Sequence, residues 1–232
     1  MNIEGSVALV TGTSRGIGRQ FATQLVERGA KVYATARDPR QIDVSGVEKL
    51  ALDITDPASV TAATEAAGDV SLLVNNAGVS VYQNLVTGDL GQIHTELNTH
   101  LWGTLGVIRA FAPVLGRNGG GAILNVLSAM SWFSYEGVNS YSVAKAAQWA
   151  LTNGVRLELA GQGTLVTGLH MGAVDTDMMA GFDIPKLDPA DVVRAALDGI
   201  EQGRLEVLAD DWSQQVKTAV TDPASFYTQV AR

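Results

Sequence analysis

The feature that most constrains the fold is a glycine-containing turn directly after the first apolar run. Residues Ser6 to Thr11 have the composition of a fully buried strand, the turn runs from Thr11 to Gly18, and helical spacing follows. Glycines let the backbone turn sharply and let a pyrophosphate approach, and a helix N-terminus favours its negative charge. Three glycines alone also fit an ordinary strand–helix turn. Their position after a first strand and before a helix is the context that a dinucleotide-binding turn requires.

Strand-like runs alternate with helical patterns along the rest of the chain. Aspartate followed by proline at 56–57, 188–189 and 222–223 predicts three helix starts, because aspartate suits the N-cap and proline the first helical position. Longer helical patterns cover about 90–115 and 140–160. We predict the remaining strands at 31–36, 47–52, 70–74, 122–128, 165–169 and 205–208. This alternation predicts an α/β fold with a mainly parallel sheet and right-handed crossovers.

Composition excludes several classes of function. The net charge of −8 disfavours a nucleic-acid partner, which needs a basic patch. No apolar run reaches the roughly 18 residues of a membrane span, and the chain opens into a strand rather than a signal sequence, so we expect a cytoplasmic protein. The absence of cysteine excludes disulfides and thiolate chemistry. His94 and His100 do not share a helical face, so we expect no metal site.

The end of the second predicted strand bears on the type of dinucleotide. In such folds a carboxylate there accepts the 2′-hydroxyl of NAD, whereas an arginine accommodates the 2′-phosphate of NADP. Here the strand ends at Ala36 and Arg37 follows, while Arg15 lies in the glycine turn. Two guanidinium groups can converge on one phosphate, so we predict NADP(H); two solvated arginines are the alternative. Asp38 weighs against this prediction, because its carboxylate comes one position later.

Two further segments fall at the carboxyl edge of the predicted sheet, where ligands bind in open α/β folds. Asp53 ends the third strand, and its carboxylate could reach an adenine amino group or simply terminate the strand. The sequence Asn75-Asn76-Ala77-Gly78 follows the fourth strand and, by composition, could be any polar turn.

Tyr141 and Lys145 stand four residues apart, which places both side chains on one face of a helix. A phenol with a pKa of about 10 is a poor acid or base near neutrality, and a nearby ammonium lowers that pKa. Ser128 follows the apolar run of the fifth strand, where its hydroxyl can hydrogen-bond a substrate oxygen. Together the three could move a proton at a carbonyl or alcohol oxygen, although such a pair alone is usually two surface residues.

Several of these signals coincide in order and spacing. The turn at 11–18 is followed by the Asn-Asn-Ala-Gly segment at 75–78, and Ser128 precedes Tyr141 by thirteen residues. With Lys145, this set resembles the short-chain dehydrogenase/reductase family over about residues 3–210. The resemblance implies one Rossmann-like, doubly wound domain over residues 1–232, with about seven parallel strands in the order 3-2-1-4-5-6-7.

The resemblance also implies an NADP(H)-dependent carbonyl reductase or alcohol dehydrogenase that acts on a small carbonyl or alcohol substrate and assembles as a homodimer or homotetramer. Its implied catalytic residues are Asn98, which would hold a water, Ser128, which would orient the substrate oxygen, Tyr141, which would move the proton, and Lys145, which would lower the tyrosine pKa and bind the ribose. Its implied cofactor-binding residues are Gly12, Ser14, Arg15, Gly16, Ile17, Gly18, Arg37, Asp53, Ile54, Asn75, Ala77, Gly78, Tyr141, Lys145, Gly172, Val174 and Thr176.

The chain departs from the family pattern near the expected substrate site. Met171 stands where many relatives have proline, which bears on backbone rigidity beside the nicotinamide. The substrate loop, at about 175–188, is short, so we expect a fairly open pocket. Trp132, Phe133 and Tyr135 suggest an apolar substrate wall, although core packing is the commoner role of aromatic residues.

Two other functions were weighed against this one. A catalytically silent dinucleotide-binding sensor or scaffold is the main alternative, and the four filled catalytic positions argue against it. A nucleotide-sugar epimerase has a similar tyrosine–lysine pair but needs a larger substrate domain, for which the chain has no room after Thr176. The sequence does not determine the substrate, the direction of reaction or the stereochemistry.

Overall fold

The computed structural model describes residues 1–227, and its centre is one seven-stranded sheet in the order β3-β2-β1-β4-β5-β6-β7, with every neighbouring pair parallel. This confirms the predicted α/β class, the Rossmann-like architecture and the strand order. The strands are β1 Val7–Val10, β2 Lys31–Ala36, β3 Glu48–Ala51, β4 Leu72–Asn75, β5 Ala122–Val126, β6 Leu165–His170 and β7 Glu206–Leu208.

Helices cover both faces of the sheet. They are α1 Gly16–Glu27, α2 Pro57–Ala66, α3 Leu90–Leu97, α4 Thr104–Arg117, α5 Asn139–Leu159, α6 Pro189–Glu201, α7 Asp211–Ala219 and α8 Pro223–Tyr227. Among these described helices, none combines the length and the apolar character needed to cross a membrane.

Alternate residues of each central strand supply two separate cores. Ala8 and Val10 of β1 belong to a cluster with Phe21 of α1, whereas Leu9 belongs to a cluster with Phe111 of α4. A parallel sheet covered on both faces needs apolar residues at successive positions, which explains the uninterrupted apolar runs. The two layers of helices leave the carboxyl edge of the sheet free for loops.

Helix starts follow the aspartate–proline signals. The Asp56 carboxylate accepts the Ala58 N–H at 3.0 Å, and the Asp188 carboxylate accepts the Ala190 N–H at 2.7 Å. Both helices begin at the proline, as the sequence predicted.

The helical pattern predicted over 90–115 is not one α-helix. A π-helical turn at Asn98–Gly103 separates α3 from α4. Such a turn closes i→i+5 hydrogen bonds, so it rotates the side chains after it relative to an uninterrupted α-helix. Within this turn, Asn98 is exposed and His100 is buried.

Candidate active site

The glycine turn has the conformation that its residues predict. Gly12 and Gly16 have φ of +73° and +56°, a region that favours glycine. A Cβ at Gly18 would lie 2.1 Å from the Gly12 carbonyl oxygen, so no other residue fits there without movement. The helix α1 starts at Gly16, and Arg15 before it makes no side-chain cap, which leaves the first N–H groups of the helix to another acceptor.

The Asn-Asn-Ala-Gly segment after β4 holds this turn in place. Thr11 Oγ1 accepts the N–H groups of Asn76 and Ala77, each at 2.9 Å. The Asn76 side chain donates to the carbonyls of Thr11 and Gly12 at 2.9 and 3.0 Å. The Asn-Asn-Ala-Gly segment therefore holds the glycine turn in position and is more than an ordinary polar turn. Asn76 was missed by the sequence analysis, which selected its neighbours.

After β2, Asp38 and Arg40 form an ion pair with each other, whereas the arginines predicted to bind a phosphate, Arg37 and Arg15, are exposed. Both oxygens of Asp38 accept from the Arg40 guanidinium, at 2.9 and 3.0 Å, and this lowers the pKa of Asp38. The Asp38 carboxylate is thus neutralised by a neighbour that the sequence analysis did not consider. Arg37 and Arg15 are exposed, and Arg15 makes one solvent-exposed contact with Asp177 at 3.4 Å.

Asp53 follows β3 and is engaged in its own turn. Its Oδ1 accepts from the backbone and the hydroxyl of Thr55, at 2.9 and 2.7 Å. These bonds, aided by the charge of Arg37, lower its pKa. Ile54 is buried and lines a groove of about 340 Å³ between α2 and α4, together with Trp102.

Ser128, Tyr141 and Lys145 come together at the carboxyl ends of the central strands. Tyr141 and Lys145 lie on α5, and the Lys145 Nζ is 5.5 Å from the Tyr141 ring centroid. Ser128 is 7% exposed just beyond β5, and its side chain is close enough to the Tyr141 hydroxyl to lower the pKa of that hydroxyl. Tyr141 itself is partly buried. The structure thus assembles three of the four predicted catalytic residues.

The lysine is held by the protein rather than by the phenol. Its Nζ donates to the Val126 carbonyl at 2.8 Å and to Gln148 Oε1 at 2.9 Å. Burial lowers the pKa of Lys145 to about 7. Burial likewise raises the pKa of Tyr141, with a smaller contribution from the charge of Glu96. Lys145 is not among the groups that set the pKa of Tyr141 in this structure, so its expected lowering of that pKa stays a prediction.

Asn98, the fourth predicted catalytic residue, is not part of this group. It is exposed and lines the groove beside Ile54 and Trp102. His100 is the residue of this helical segment that faces Tyr141, with the two ring centroids 5.5 Å apart and the rings nearly perpendicular. His100 stands four residues after the buried Glu96, so an α-helical count already places both side chains inward and Asn98 outward.

Three buried polar residues around the site were also missed. Glu96 is fully buried, and its Oε1 accepts the Val81 N–H at 3.1 Å. Gln148 joins Lys145 to Thr104, to whose Oγ1 it donates at 3.1 Å. The only sequence signal for Glu96 was its spacing of four residues from His100 on a predicted helix, and such charges usually face solvent.

The segment after β6 carries the predicted nicotinamide contacts Gly172, Val174 and Thr176. The Gly172 N–H donates to Asp210 Oδ2 at 3.0 Å, and the Met171 carbonyl accepts the Ala129 N–H at 2.9 Å. Asp210 and the backbone just after Ser128 therefore fix the Met171–Gly172 segment, in which Met171 stands where many relatives have proline. A Cβ at Gly16 would lie 3.2 Å from Thr176 Cγ2, so the segment lies against the glycine turn.

The aromatic residues after Ser128 divide between the two roles considered. Trp132 stacks on His170 with centroids 3.9 Å apart, and Phe133 packs edge-on against Trp212. Both serve packing beneath α7. Tyr135 is 49% exposed, and its ring packs edge-on against Phe133.

Comparison with known proteins agrees with this geometry. The model of the short chain dehydrogenase family matches residues 6–185. A 3-oxoacyl-[acyl-carrier-protein] reductase of Vibrio harveyi is 32% identical over 216 residues, which cover 88% of this chain and 86% of that protein.

Solved structures show the same relationship. A short chain dehydrogenase from Burkholderia cenocepacia in complex with NADP superimposes with a TM-score of 0.95 and 35% identity, over 100% of both chains. A 3-ketoacyl-(acyl-carrier-protein) reductase from Brucella melitensis complexed with NADH gives a TM-score of 0.82 and 26% identity, over 89% of this chain and 98% of that one. Fold and site thus define a dinucleotide-linked oxidoreductase. This chain belongs to the short-chain dehydrogenase family.

Proposed function

We propose that the protein is an NADP(H)-dependent oxidoreductase that transfers a hydride between nicotinamide and a ketone, an aldehyde or a secondary alcohol. The observation that carries the proposal is the meeting of Ser128, Tyr141 and Lys145 at the sheet edge, beside a glycine turn. Tyr141, the proposed proton donor to the substrate oxygen, thereby lies beside the glycine turn, the proposed binding site of the dinucleotide.

The residues present fit such a cofactor. The glycine turn leaves no room for Cβ atoms at Gly18, and the uncapped N-terminus of α1 offers N–H groups to a pyrophosphate. Arg37 and Arg15 would receive the 2′-phosphate, which is supported by the closed Asp38–Arg40 pair. The complex of the Burkholderia cenocepacia relative with NADP also supports this choice.

The other residues predicted to contact the cofactor belong to the glycine turn or lie near it, at the carboxyl edge of the sheet. They would hold the adenosine, ribose and nicotinamide portions, and they comprise Gly12, Ser14, Gly16, Ile17, Asp53, Ile54, Asn75, Ala77, Gly78, Tyr141, Lys145, Gly172, Val174 and Thr176.

The nicotinamide, when bound, supplies or accepts the hydride at the substrate carbon. Tyr141 gives a proton to the carbonyl oxygen in reduction or takes it from the alcohol in oxidation. Ser128 donates a hydrogen bond to the same oxygen and holds it in place. Lys145, whose Nζ lies 5.5 Å from the Tyr141 ring centroid, would in its protonated form stabilise the phenolate and bind the ribose hydroxyls. Donors fixed before the reaction stabilise the charge that develops on oxygen.

Turnover of a panel of ketones and aldehydes with NADPH and NADH tests this function. Wild-type protein is expected to consume NADPH, and Tyr141→Phe is expected to lower turnover by about 10²- to 10⁴-fold, as for loss of a positioned acid. NADPH affinity should survive, because one hydroxyl is lost. Tyr135→Phe removes the same group from an exposed tyrosine and serves as the control. NADPH binding without turnover of any member would favour the sensor or scaffold instead.

We also propose a homodimer or homotetramer. Leu90, Trp102 and Leu157 are 67%, 60% and 80% exposed, and large apolar side chains at such exposure favour a covered surface. Sedimentation at micromolar concentration is expected to show an oligomer, and a monomer alone would contradict the proposal.

A further inference from the structure

A side chain crosses the mouth of the site, between the loop after β4 and the loop after β6. The Tyr82 hydroxyl donates to the Met178 carbonyl at 2.6 Å, and its ring centroid lies 5.6 Å from that of Phe182. The short loop at 175–188 would otherwise leave the pocket open, as we expected from the sequence. Tyr82 therefore gives the cleft an aromatic wall that neither loop provides by itself.

The backbone on both sides of Tyr82 is fixed. The buried Glu96 carboxylate accepts the Val81 N–H at 3.1 Å, and the Gln83 carbonyl accepts the Ser140 N–H at 3.1 Å. Between these bonds Tyr82 has a φ of +53°, and it is the only residue other than glycine with positive φ in the described part of the chain. Such a conformation is unfavourable for a residue with a side chain and persists where surrounding contacts impose it.

These contacts place Tyr82 next to the chemistry. Ser140, which holds Gln83, immediately precedes Tyr141 on α5. The bond between Gln83 and Ser140 therefore ties the Tyr82 segment to the start of α5, next to Tyr141.

The surroundings of this wall are apolar and acidic. Tyr82, Met178, Phe182 and Ile184 are exposed at 43%, 39%, 38% and 49%. The loop at 175–188 carries four aspartates and one lysine. Arg15, the basic side chain that reaches this loop, contacts Asp177. Apolar contact area favours an uncharged hydrophobic ligand, and the acidic loop repels an anion.

We propose that Tyr82 is a specificity-determining residue that, with Phe182, selects uncharged apolar carbonyl compounds over anionic ones. This refinement rests on the proposed function. It separates the chain from reductases of substrates carried on acyl carrier protein, such as the Vibrio harveyi relative, and names free neutral ketones or aldehydes with an aryl or alkyl group as the substrate class.

The test compares 4-phenyl-2-butanone with its carboxylate-bearing twin, 4-(3-oxobutyl)benzoate, and with 2-butanone. Wild-type kcat/KM is expected to favour the neutral aryl ketone over the anionic one by at least about tenfold. Tyr82→Ala should lower the preference for the aryl ketone over 2-butanone by about tenfold, the contribution of one well-placed apolar contact surface. Tyr82→Phe, which keeps the ring, should retain most of that preference. Leu205→Ala, an exposed apolar truncation elsewhere, should leave it unchanged.

Equal use of the anionic and neutral ketones, or a Tyr82→Ala effect equal for the aryl ketone and 2-butanone, would overturn the proposal. NADPH affinity of the variants, measured separately, shows whether they fold. If the wild type reduces none of the three ketones, the proposed function fails, and calorimetric titration of 4-phenyl-2-butanol into the NADP-loaded protein decides the specificity. Weaker binding to Tyr82→Ala than to wild type supports it, and equal or undetectable binding to both overturns it.

Discussion

At the residue scale, His100 has an unusual hydrogen-bonding problem. Its Nε2 lies 2.7 Å from the Val79 carbonyl oxygen and 3.3 Å from the Val79 nitrogen, so one atom faces an acceptor and a donor. A ring nitrogen can satisfy only one of them at a time. Burial lowers the pKa of His100, so the ring is neutral, and its Nδ1 has no hydrogen-bond partner.

Two replacements of His100 therefore distinguish a structural role, hydrogen bonding to Val79, from a need for the imidazole itself. His100→Gln should preserve stability and turnover, because its amide reaches the position of Nε2 and can donate to the Val79 carbonyl and accept from its N–H with different atoms. His100→Leu should lower the free energy of unfolding by about 1–3 kcal/mol, because the carbonyl loses its donor. Urea denaturation and kcat measure the two effects. A glutamine variant as inactive as the leucine variant would show that the imidazole itself is required.

At the same scale, Arg37 is the residue proposed to determine the choice between NADP(H) and NAD(H). Arg37→Asp should weaken NADPH binding by about ten- to a hundredfold, the contribution of a charge-assisted hydrogen bond, and change NADH binding less. Fluorescence titration with both dinucleotides gives the ratio. Arg19→Asp, an exposed arginine of α1 paired with Asp43, is the matched control. A wild type that prefers NADH would contradict the assigned role of Arg37.

At the element scale, Asp210 joins two structures. Its carboxylate caps α7 by accepting from the Ser213 N–H at 2.9 Å, and it also holds the Gly172 N–H of the segment after β6. A single side chain thus connects the start of a C-terminal helix to the backbone proposed to contact nicotinamide.

Asp210→Ala should therefore affect more than helix stability. Loss of the cap costs about 0.5–2 kcal/mol, and release of Gly172 should raise the KM for NADPH. Asp188→Ala removes a similar cap from α6, where the cap bond is to Ala190, and should lower stability with little change in this KM. Thermal denaturation and steady-state kinetics distinguish the two variants. Equal KM values would exclude a positioning role for Asp210.

The elements differ in how far the sequence could predict them. Strands such as Lys31–Ala36 follow directly from apolar runs between turn residues, because a sheet covered on both faces needs such runs. The π-helical turn could not be predicted, since the apolar spacing does not mark a single change of hydrogen-bond register. Asn98 was selected from the family resemblance, whereas the spacing from the buried Ile93 and Glu96 places His100 inward. Asp210 and Gln148 were missed because Gly172 and Thr104, to which they are hydrogen-bonded, are distant in sequence and only the fold brings them together.

At the scale of the whole molecule, buried histidines make stability depend on pH. Burial lowers the pKa of His170 to about 4, and its Nδ1 lies 3.0 Å from the Ser128 carbonyl oxygen. The ordinary pKa of about 6.5 applies in the unfolded chain, so the folded state binds fewer protons between these values. Its contribution to stability is complete above about pH 6.5 and is lost as pH falls toward 4.

The expected slope from His170 is about 1.4 kcal/mol per pH unit in this range. His170→Asn should flatten the decline of unfolding free energy from pH 6.5 to 4 relative to the wild type. His94→Asn, at an exposed position on α3, should not. Urea unfolding at several pH values measures the slopes, and parallel curves for His170→Asn and the wild type would contradict the assignment.

The hydrogen bonds behind Lys145 form a chain with one permitted direction. Asn75 Nδ2 donates to Asn125 Oδ1, Asn125 Nδ2 to Thr152 Oγ1, and the Thr152 hydroxyl to the Gln148 carbonyl. Rotating one side-chain amide by 180° would place two donors or two acceptors opposite each other. The next residue in the chain of hydrogen bonds would then also lose its matched partner. Substitutions in this chain should therefore be non-additive, so that a change tolerated beside one partner is harmful beside another. Among related proteins, we therefore expect Asn75, Asn125 and Thr152 either to be retained together or to be replaced together.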